Sequence, residues 1–261
     1  MKIVVCVKQV PDAKEVRIDP ETGTLVREGV PAIVNPLDLY AVEAALRLKD
    51  DPGAEVVALS MGPPQAVDAL REVISMGVDD GVLVSDRAFA GSDTLATSYT
   101  LAKALEKIGG VDLVITGKQA IDGDTAQVGP GMAVNMDWPF VAFIGHMASA
   151  SETALTVARL METGHEMIEV ALPAVISVVK EIGEARLPSI RGKMKARKWT
   201  PTIWSAADLD VEEARLGLSG SPTQVERIFT PKSRGAGEMI EGETPAAIAD
   251  KLAECLQSVV G

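Results

Sequence analysis

Aromatic side chains make up only 3% of this 261-residue sequence, with Trp138, Trp199 and Trp204 the largest. A protein that reads single-stranded nucleic acid by stacking needs more of them. Positive charge is also short: 25 Lys and Arg stand against 37 Asp and Glu, a net charge of -12. A general nucleic-acid binder needs a basic surface to displace counterions, so that class is excluded. Cysteine is limited to Cys6 and Cys255, which offer neither a disulfide framework nor metal-ligand spacing, and no metal site is expected. His146 and His165 are the only histidines, and neither accompanies a serine or cysteine in a nucleophile motif. No apolar run approaches the roughly 18 residues a membrane span needs. The opening MKIVVCV is interrupted at Lys8 and lacks a small-residue cleavage site, so it reads as a first strand, not a signal peptide, and a cytoplasmic location is expected. No G-x-G-x-x-G follows that strand. Side chains this poorly equipped for catalysis leave any chemistry to a cofactor, and no catalytic side chain is nominated.

What the sequence does have is the stretch Val111–Pro130, VDLVITGKQAIDGDTAQVGP. It runs from a buried-strand pattern through Gly117-Lys118-Gln119 and the polar Asp122-Gly123-Asp124-Thr125 to a small-residue helix start at Gln127. Two readings compete. A plain strand-to-helix connection explains the glycines as turns and the acids as caps. The same arrangement also binds nucleotides at the carboxyl edge of a parallel sheet, where small residues admit a ligand and free N–H groups face it.

The remaining pattern supplies the sheet. β-Branched runs begin at Lys2 and Glu55, a short one spans Gly81–Ser85, and amphipathic helical stretches separate them. A small hairpin is expected over Val16–Leu25 around Asp19–Gly23. Asn35 or Asp38 suits a helix cap, with Pro36 in the first turn. Four strand–helix alternations predict a doubly wound, mainly parallel, Rossmann-like α/β sheet, because each parallel pair needs a crossover. Residues Leu155–Val170 read as an inserted β-hairpin turning at Gly164, and Ala174–Val179 as a further buried strand. From Lys180 the chain turns basic and extended, and beyond Trp204 it has too few apolar residues for a core of its own. The expected division is therefore a nucleotide-binding α/β domain over 1–184. Residues 185–261 form an extended arm, ending in a helix opened by Thr244, that packs on another chain.

Several strand ends should meet at one edge: Cys6-Val7-Lys8, Asn35–Asp38, Met61-Gly62, Ser92-Asp93-Thr94 and the 117–128 loop. In a doubly wound sheet they border the crevice where adenine nucleotides sit. Thr94 and Thr97, at a helix start, are candidates for phosphate contacts, although Asp93 as a simple N-cap is the favoured alternative there.

These motifs, taken together, resemble a known family. The early VKQVPD turn, the Asn35-Pro36-Leu37-Asp38 turn, the GKQAID loop and the Arg159–Ile176 segment are similar, in order and along essentially the whole chain, to the electron transfer flavoprotein β subunit. Thr163 departs from the family pattern, inside a turn. The resemblance implies an obligate α subunit carrying its own FAD. It also implies an adenine nucleotide held across Cys6, Asn35, Pro36, Leu37, Asp38, Met61 and the loop Gly117, Lys118, Gln119, Ala120, Ile121, Asp122, Gly123, Asp124, Thr125, Ala126, Gln127 and Val128. In one branch of the family that nucleotide is structural AMP. In the electron-bifurcating branch it is a second FAD that accepts hydride from NADH. Electrons then divide between a flavin-dependent dehydrogenase of acyl-CoA or hydroxy-acid type, reached through the α-subunit FAD, and ferredoxin or flavodoxin. Gly123, Thr125 and Ala126 are smaller than the residues of the AMP branch, which favours FAD, the larger ligand. The segment Arg186–Lys198 gathers six cations; by the same resemblance it holds the docking residues Leu187, Pro188, Ile190, Lys193 and Lys195, with Leu187 as the apolar anchor. The rival from another class is a non-redox module that senses an adenine nucleotide.

Overall fold

The computed structural model describes residues 1–12, 17–18, 25–26, 31–50, 53–226, 237 and 239–260. Strands β1 (Lys2–Cys6), β2 (Gln9–Pro11), β3 (Arg17–Ile18), β4 (Leu25–Val26) and β5 (Ala32–Val34) precede helix α1 (Pro36–Asp50). Then come β6 (Glu55–Met61), α2 (Val67–Met76), β7 (Asp80–Val84), α3 (Thr94–Ile108), β8 (Leu113–Gly117) and α4 (Val128–Met136). The second half holds β9 (Phe140–Ala150), β10 (Ala154–Met161), β11 (Gly164–Ala171), β12 (Ala174–Val178), α5 (Ile190–Lys198), β13 (Thr202–Trp204) and α6 (Pro245–Val260).

Nine strands form one sheet in the order β11-β10-β9-β12-β8-β1-β6-β7-β13. β10 alone runs against the others. The period-2 alternation of the central strands divides the core in two. Ile3, Val5, Val56, Ala58, Leu113 and Ile115 face α1 and α2, while Val4, Val57, Leu59 and Val114 face α3 and α4. Both faces of the sheet are therefore covered, which is why these strands read as continuous apolar runs. Ala41, Ala44 and Ala45 form the buried face of α1, so that helix lies close to the strands. This is the doubly wound α/β fold that the sequence predicts. Among the described residues no helix is long and apolar enough to cross a membrane.

The hairpin of β10 and β11 is present, its strands meeting at Met161 and Gly164 around a Glu162-Thr163 turn. Its neighbour β9 was not expected. Phe143, at φ 59°, and a shift of register against β12 break the alternation that would have marked it as a strand. The small hairpin near the N-terminus exists as β3 pairing with β4, and its turn, Asp19–Gly23, lies outside the described residues.

The chain beyond Lys180 differs from the extended arm expected of it. Residues 190–198 form α5, which packs on α2 through Ala196 and Trp199. β13 adds a parallel edge strand beside β7, and Leu209 and Leu216 enter the core on the α3 side. These few apolar residues need no core of their own because they complete the one already there. α6 is the expected last helix, with Thr244 Oγ1 accepting from Ala247 N at 3.2 Å.

Gly192 decides how closely α5 can lie on α2: a Cβ there would overlap the Ser75 carbonyl oxygen. Gly192→Ala is expected to push α5 outward, at a cost of about 1–3 kcal/mol. Amide exchange measured by mass spectrometry should accelerate at least tenfold across 190–198 while the central strands keep their protection.

Candidate functional site

The sheet reverses its winding between β1 and β8, since α1 covers one face and α4 the other, so a crevice opens at the carboxyl ends of these two strands. Gly117 closes β8 against the first turn of α1. A Cβ at Gly117 would sit 2.5 Å from Asp38 Oδ1 and 2.7 Å from the Leu37 carbonyl, so only glycine fits. Asp38 is buried, and its Oδ2 accepts from Lys8 N at 2.8 Å. Burial pushes this carboxyl up to about 7, against the opposing pull of Asn35 and of the Lys8 and Gly117 N–H groups.

Asn35 is completely buried. Its backbone N donates to Lys8 O at 2.8 Å, and its carbonyl accepts from Asp38 N at 2.9 Å. Its side chain does not cap α1 as expected. Instead Nδ2 donates to Gln119 O at 2.9 Å, and Oδ1 accepts from Ile121 N at 3.2 Å. Asn35 therefore fixes the 117–128 loop from within. Pro36 stands exposed at the first helical position.

The loop carries its own internal bonds. Asp124 N donates to Ala120 O at 2.8 Å, the Gln119 amide donates to Asp124 Oδ1, and Lys8 Nζ pairs with Asp122 at 2.7 Å. Asp124 and Ala126 hold left-handed backbones, at φ 54° and 55°. For Ala126 this costs about 1–2 kcal/mol relative to a right-handed residue, and such strain gathers where a loop is shaped for a ligand. The Lys118 ammonium lies 5.4 Å over the Phe143 ring. At the start of α4, Gln127 makes no capping bond; its Oε1 accepts instead from Thr94 Oγ1 at 3.0 Å. The first N–H groups of α4, at Val128 and Gly129, thus have no side-chain cap and suit an anion.

The glycines of this region divide into two kinds. Gly129 lies against Thr116 and Phe140, and Gly131 would meet Ser98 Oγ at 2.6 Å if it carried a Cβ. Together with Gly117, these are demanded by the packing of the chain itself. A Cβ on Gly123 would meet nothing within 4 Å.

The start of α3 matches the capping alternative. Asp93 Oδ1 accepts from Leu95 N at 2.9 Å and Ala96 N at 3.1 Å, while Oδ2 accepts from Thr223 Oγ1 at 2.8 Å. These N–H groups are directed to a carboxylate, not outward to a phosphate. Thr94 is tied to Gln127, and Thr97 follows in the same turn, half-buried. Met61 is half-buried at the end of β6. Cys6 Sγ lies 4.0 Å from Met132 Sδ, and burial, then the Asp38 charge, push the thiol up to about 12. Such a thiol packs; it does not act as a nucleophile.

On the α2 side, Leu187 is 87% and Ile190 82% exposed, Lys193 is exposed and Pro188 half-buried. Lys195 is not the free cation expected: its ammonium donates to Val78 O at 2.9 Å and Asp79 O at 2.8 Å. The sequence placed Lys8 at this edge without a role, and the structure gives it one, an ion pair with Asp122. Sequence reasoning missed the buried carboxylate of Glu43 in the AVEAAL run, whose one signal was a charge on an apolar helix face. Among the described residues no cluster of three or more His, Cys, Asp or Glu is placed to hold a metal. The arrangement offers a strand-end crevice, a braced loop and backbone donors.

Asp38 gives the fold a pH signature. Its pKa is higher in the folded protein than the ordinary 3.8, so the contribution it makes when protonated is lost as pH rises from about 4 through about 7. Asp38→Asn keeps an acceptor for Lys8 N without the charge. The melting temperature of the variant relative to the unchanged protein is expected to rise between pH 5 and pH 8; a constant difference would contradict the burial argument.

The electron transfer flavoprotein domain matches residues 22–209. The chain is 50% identical to the caffeyl-CoA reductase-Etf complex subunit CarD of Acetobacterium woodii, over 98% of both chains. It is 48% identical to the electron transfer flavoprotein subunit beta of Clostridium acetobutylicum, over 97% of this chain and 98% of that one. Protein FixA of Azorhizobium caulinodans is 44% identical over 97% of this chain and 92% of its own. The chain belongs to the electron transfer flavoprotein family, among its β subunits.

Proposed function

We propose that this chain pairs with an α subunit, binds FAD in the crevice between β1 and β8, and passes electrons from NADH to two acceptors. The observation that carries the choice of FAD is Gly123. It is the loop glycine that the protein's own packing does not require, and it faces open space in a loop braced by buried Asn35. FAD has a second phosphate and an isoalloxazine that AMP lacks, and Gly123, Thr125 and Ala126 leave room for them. The uncapped N–H groups of Val128 and Gly129 suit a phosphate. When bound, a flavin supplies hydride acceptance from NADH and one-electron delivery, toward the α-subunit FAD and a dehydrogenase on one side and ferredoxin or flavodoxin on the other.

The residues of this chain hold and shape. Gly117 and Asp38 set the floor of the crevice, Asn35 sets the loop, and the Lys8–Asp122 pair ties the loop to the end of β1. The exposed stripe of Ile248, Leu252 and Leu256 on α6 supports an arm that packs on the α subunit. Leu187, Pro188, Ile190 and Lys193 form the docking segment for a flavin-dependent dehydrogenase of acyl-CoA or hydroxy-acid type, a reading supported by the relative named for a caffeyl-CoA reductase complex. NADH as donor fits a cytoplasmic setting.

Flavin extracted from the purified heterodimer and counted by absorbance and chromatography is expected at two FAD per αβ pair. One FAD with one AMP would establish the AMP branch instead, and a colourless protein would return the non-redox module. Leu187→Ala is expected to slow electron transfer to the dehydrogenase with the β-site flavin retained. Loss of flavin with unchanged docking would reverse that assignment.

A further inference from the structure

Glu43 sits in the middle of α1 beside Ala41, Val42, Ala44 and Ala45, and it is 5% exposed. Four donors converge on this carboxylate. Arg186 supplies its backbone N at 3.0 Å, Nε at 2.8 Å and Nη2 at 3.2 Å, and Arg47 Nε adds the fourth at 3.0 Å. Burial alone would raise the Glu43 pKa, but these donors outweigh it and hold the group below the ordinary carboxylate value. Arg186 reaches on to Asp50 Oδ2 at 2.9 Å, and Arg47 Nη1 donates to Ile182 O at 2.6 Å. Gly183 holds φ 130°, a backbone that favours glycine, and a side chain there would have to displace the Arg47 guanidinium.

Leu187 follows Arg186 directly. Ser189 Oγ then caps α5 by accepting from Gly192 N at 2.9 Å. The far end is pinned as well, by Lys195 on two backbone carbonyls and by Trp199 Nε1 donating to Asp80 Oδ1 at 2.7 Å. The segment is held at both ends, and Leu187, Ile190 and Met194 are left outside.

We propose that Glu43 is the positioning residue of the docking segment: by gripping Arg186 through both guanidinium and backbone, it presents Leu187 in a fixed outward pose to the partner dehydrogenase. This rests on the reading of Leu187 as the docking anchor. Glu43 is buried within this chain and acts through Arg186. The planar guanidinium fork matches a carboxylate in two bonds, which fixes direction as well as distance. A segment ordered beforehand spares the ordering that a loose one would undergo on docking.

The test uses the purified αβ heterodimer with Glu43→Gln, Arg186→Lys and Leu187→Ala. The docked acceptor is the caffeyl-CoA reductase of Acetobacterium woodii, and ferricenium is a small acceptor that needs no docking. Glu43→Gln is expected to raise the KM for the reductase about three- to tenfold. Its kcat, flavin content and ferricenium rate should stay unchanged, and amide exchange should quicken over 184–190. Arg186→Lys, which keeps the charge and loses the fork, should raise KM less, and it carries the same criteria if Glu43→Gln does not fold. Faster exchange with an unchanged KM would overturn the proposal, as would a slower ferricenium rate, which would make Glu43 a general support of the fold. Failure of the unaltered heterodimer to reduce the reductase, or an unchanged KM in Leu187→Ala, would instead bring down the docking reading and the proposal with it.

Discussion

The approach of α1 to the end of β8 is the contact on which the rest of the crevice depends. Gly117 has no side chain, so the Leu37 carbonyl and the Asp38 carboxylate can lie against the strand end. That approach brings Asn35 within reach of Gln119 and Ile121, and a buried amide must find partners or cost a large part of a domain's net stability. The loop conformation thus follows from satisfying a side chain inside the protein. The same closeness places a carboxylate where its charge is disfavoured, offset only in part by the N–H groups of Lys8 and Gly117. Strain at Asp124 and Ala126 is tolerated because the loop is held at Asn35 on one side and at Thr94–Gln127 on the other.

Much of this was legible in the sequence, and the exceptions have physical reasons. The runs at Lys2, Glu55 and Ala174 signalled strands because both faces of the sheet are covered and every side chain can be apolar. β9 escaped because Phe143 and Gly145 interrupt its alternation. α5 escaped because cations and the exposed Ile190 and Met194 hide any apolar stripe, and its contact with α2 is made by small residues, Ala196 and Gly192, the latter close to the Ser75 carbonyl. The short motifs around Asn35 and Gln119 marked the right place. They did not tell direction: Asn35 points into the protein, and Lys195 toward backbone carbonyls, because composition names a group without saying which neighbour satisfies it.

α1 joins two regions that the sequence reading treated as separate. Its first turn carries Pro36, Leu37 and Asp38 at the crevice, and Glu43, Arg47 and Asp50 on the following turns hold the start of the proposed docking segment. Fifteen residues of helix span roughly 20 Å, and the buried face of α1 is locked by the sheet. A stiff element with one site at each end keeps those sites in a constant relation. The proposed transfer of electrons between a bound flavin and a docked protein would benefit from that constancy.

The charges of the proposed docking segment fall into two groups. Six cations lie between Arg186 and Lys198. Arg186 is neutralised from within by Glu43 and Asp50, and Lys195 is occupied by two carbonyls. Arg191, Lys193, Arg197 and Lys198 remain exposed on a protein of net charge -12. Exposed charges act over about 10 Å at moderate salt, which is far enough to steer an approaching acidic surface and too weakly to hold it. On the proposed docking reading, the holding falls to Leu187 and Ile190, exposed at 87% and 82%, whose contribution is larger when their pose is fixed before contact. Two of the six cations therefore serve the shape of the segment and four serve its field, and on the proposed reading the pose of Leu187 depends on the first pair more than on the other four.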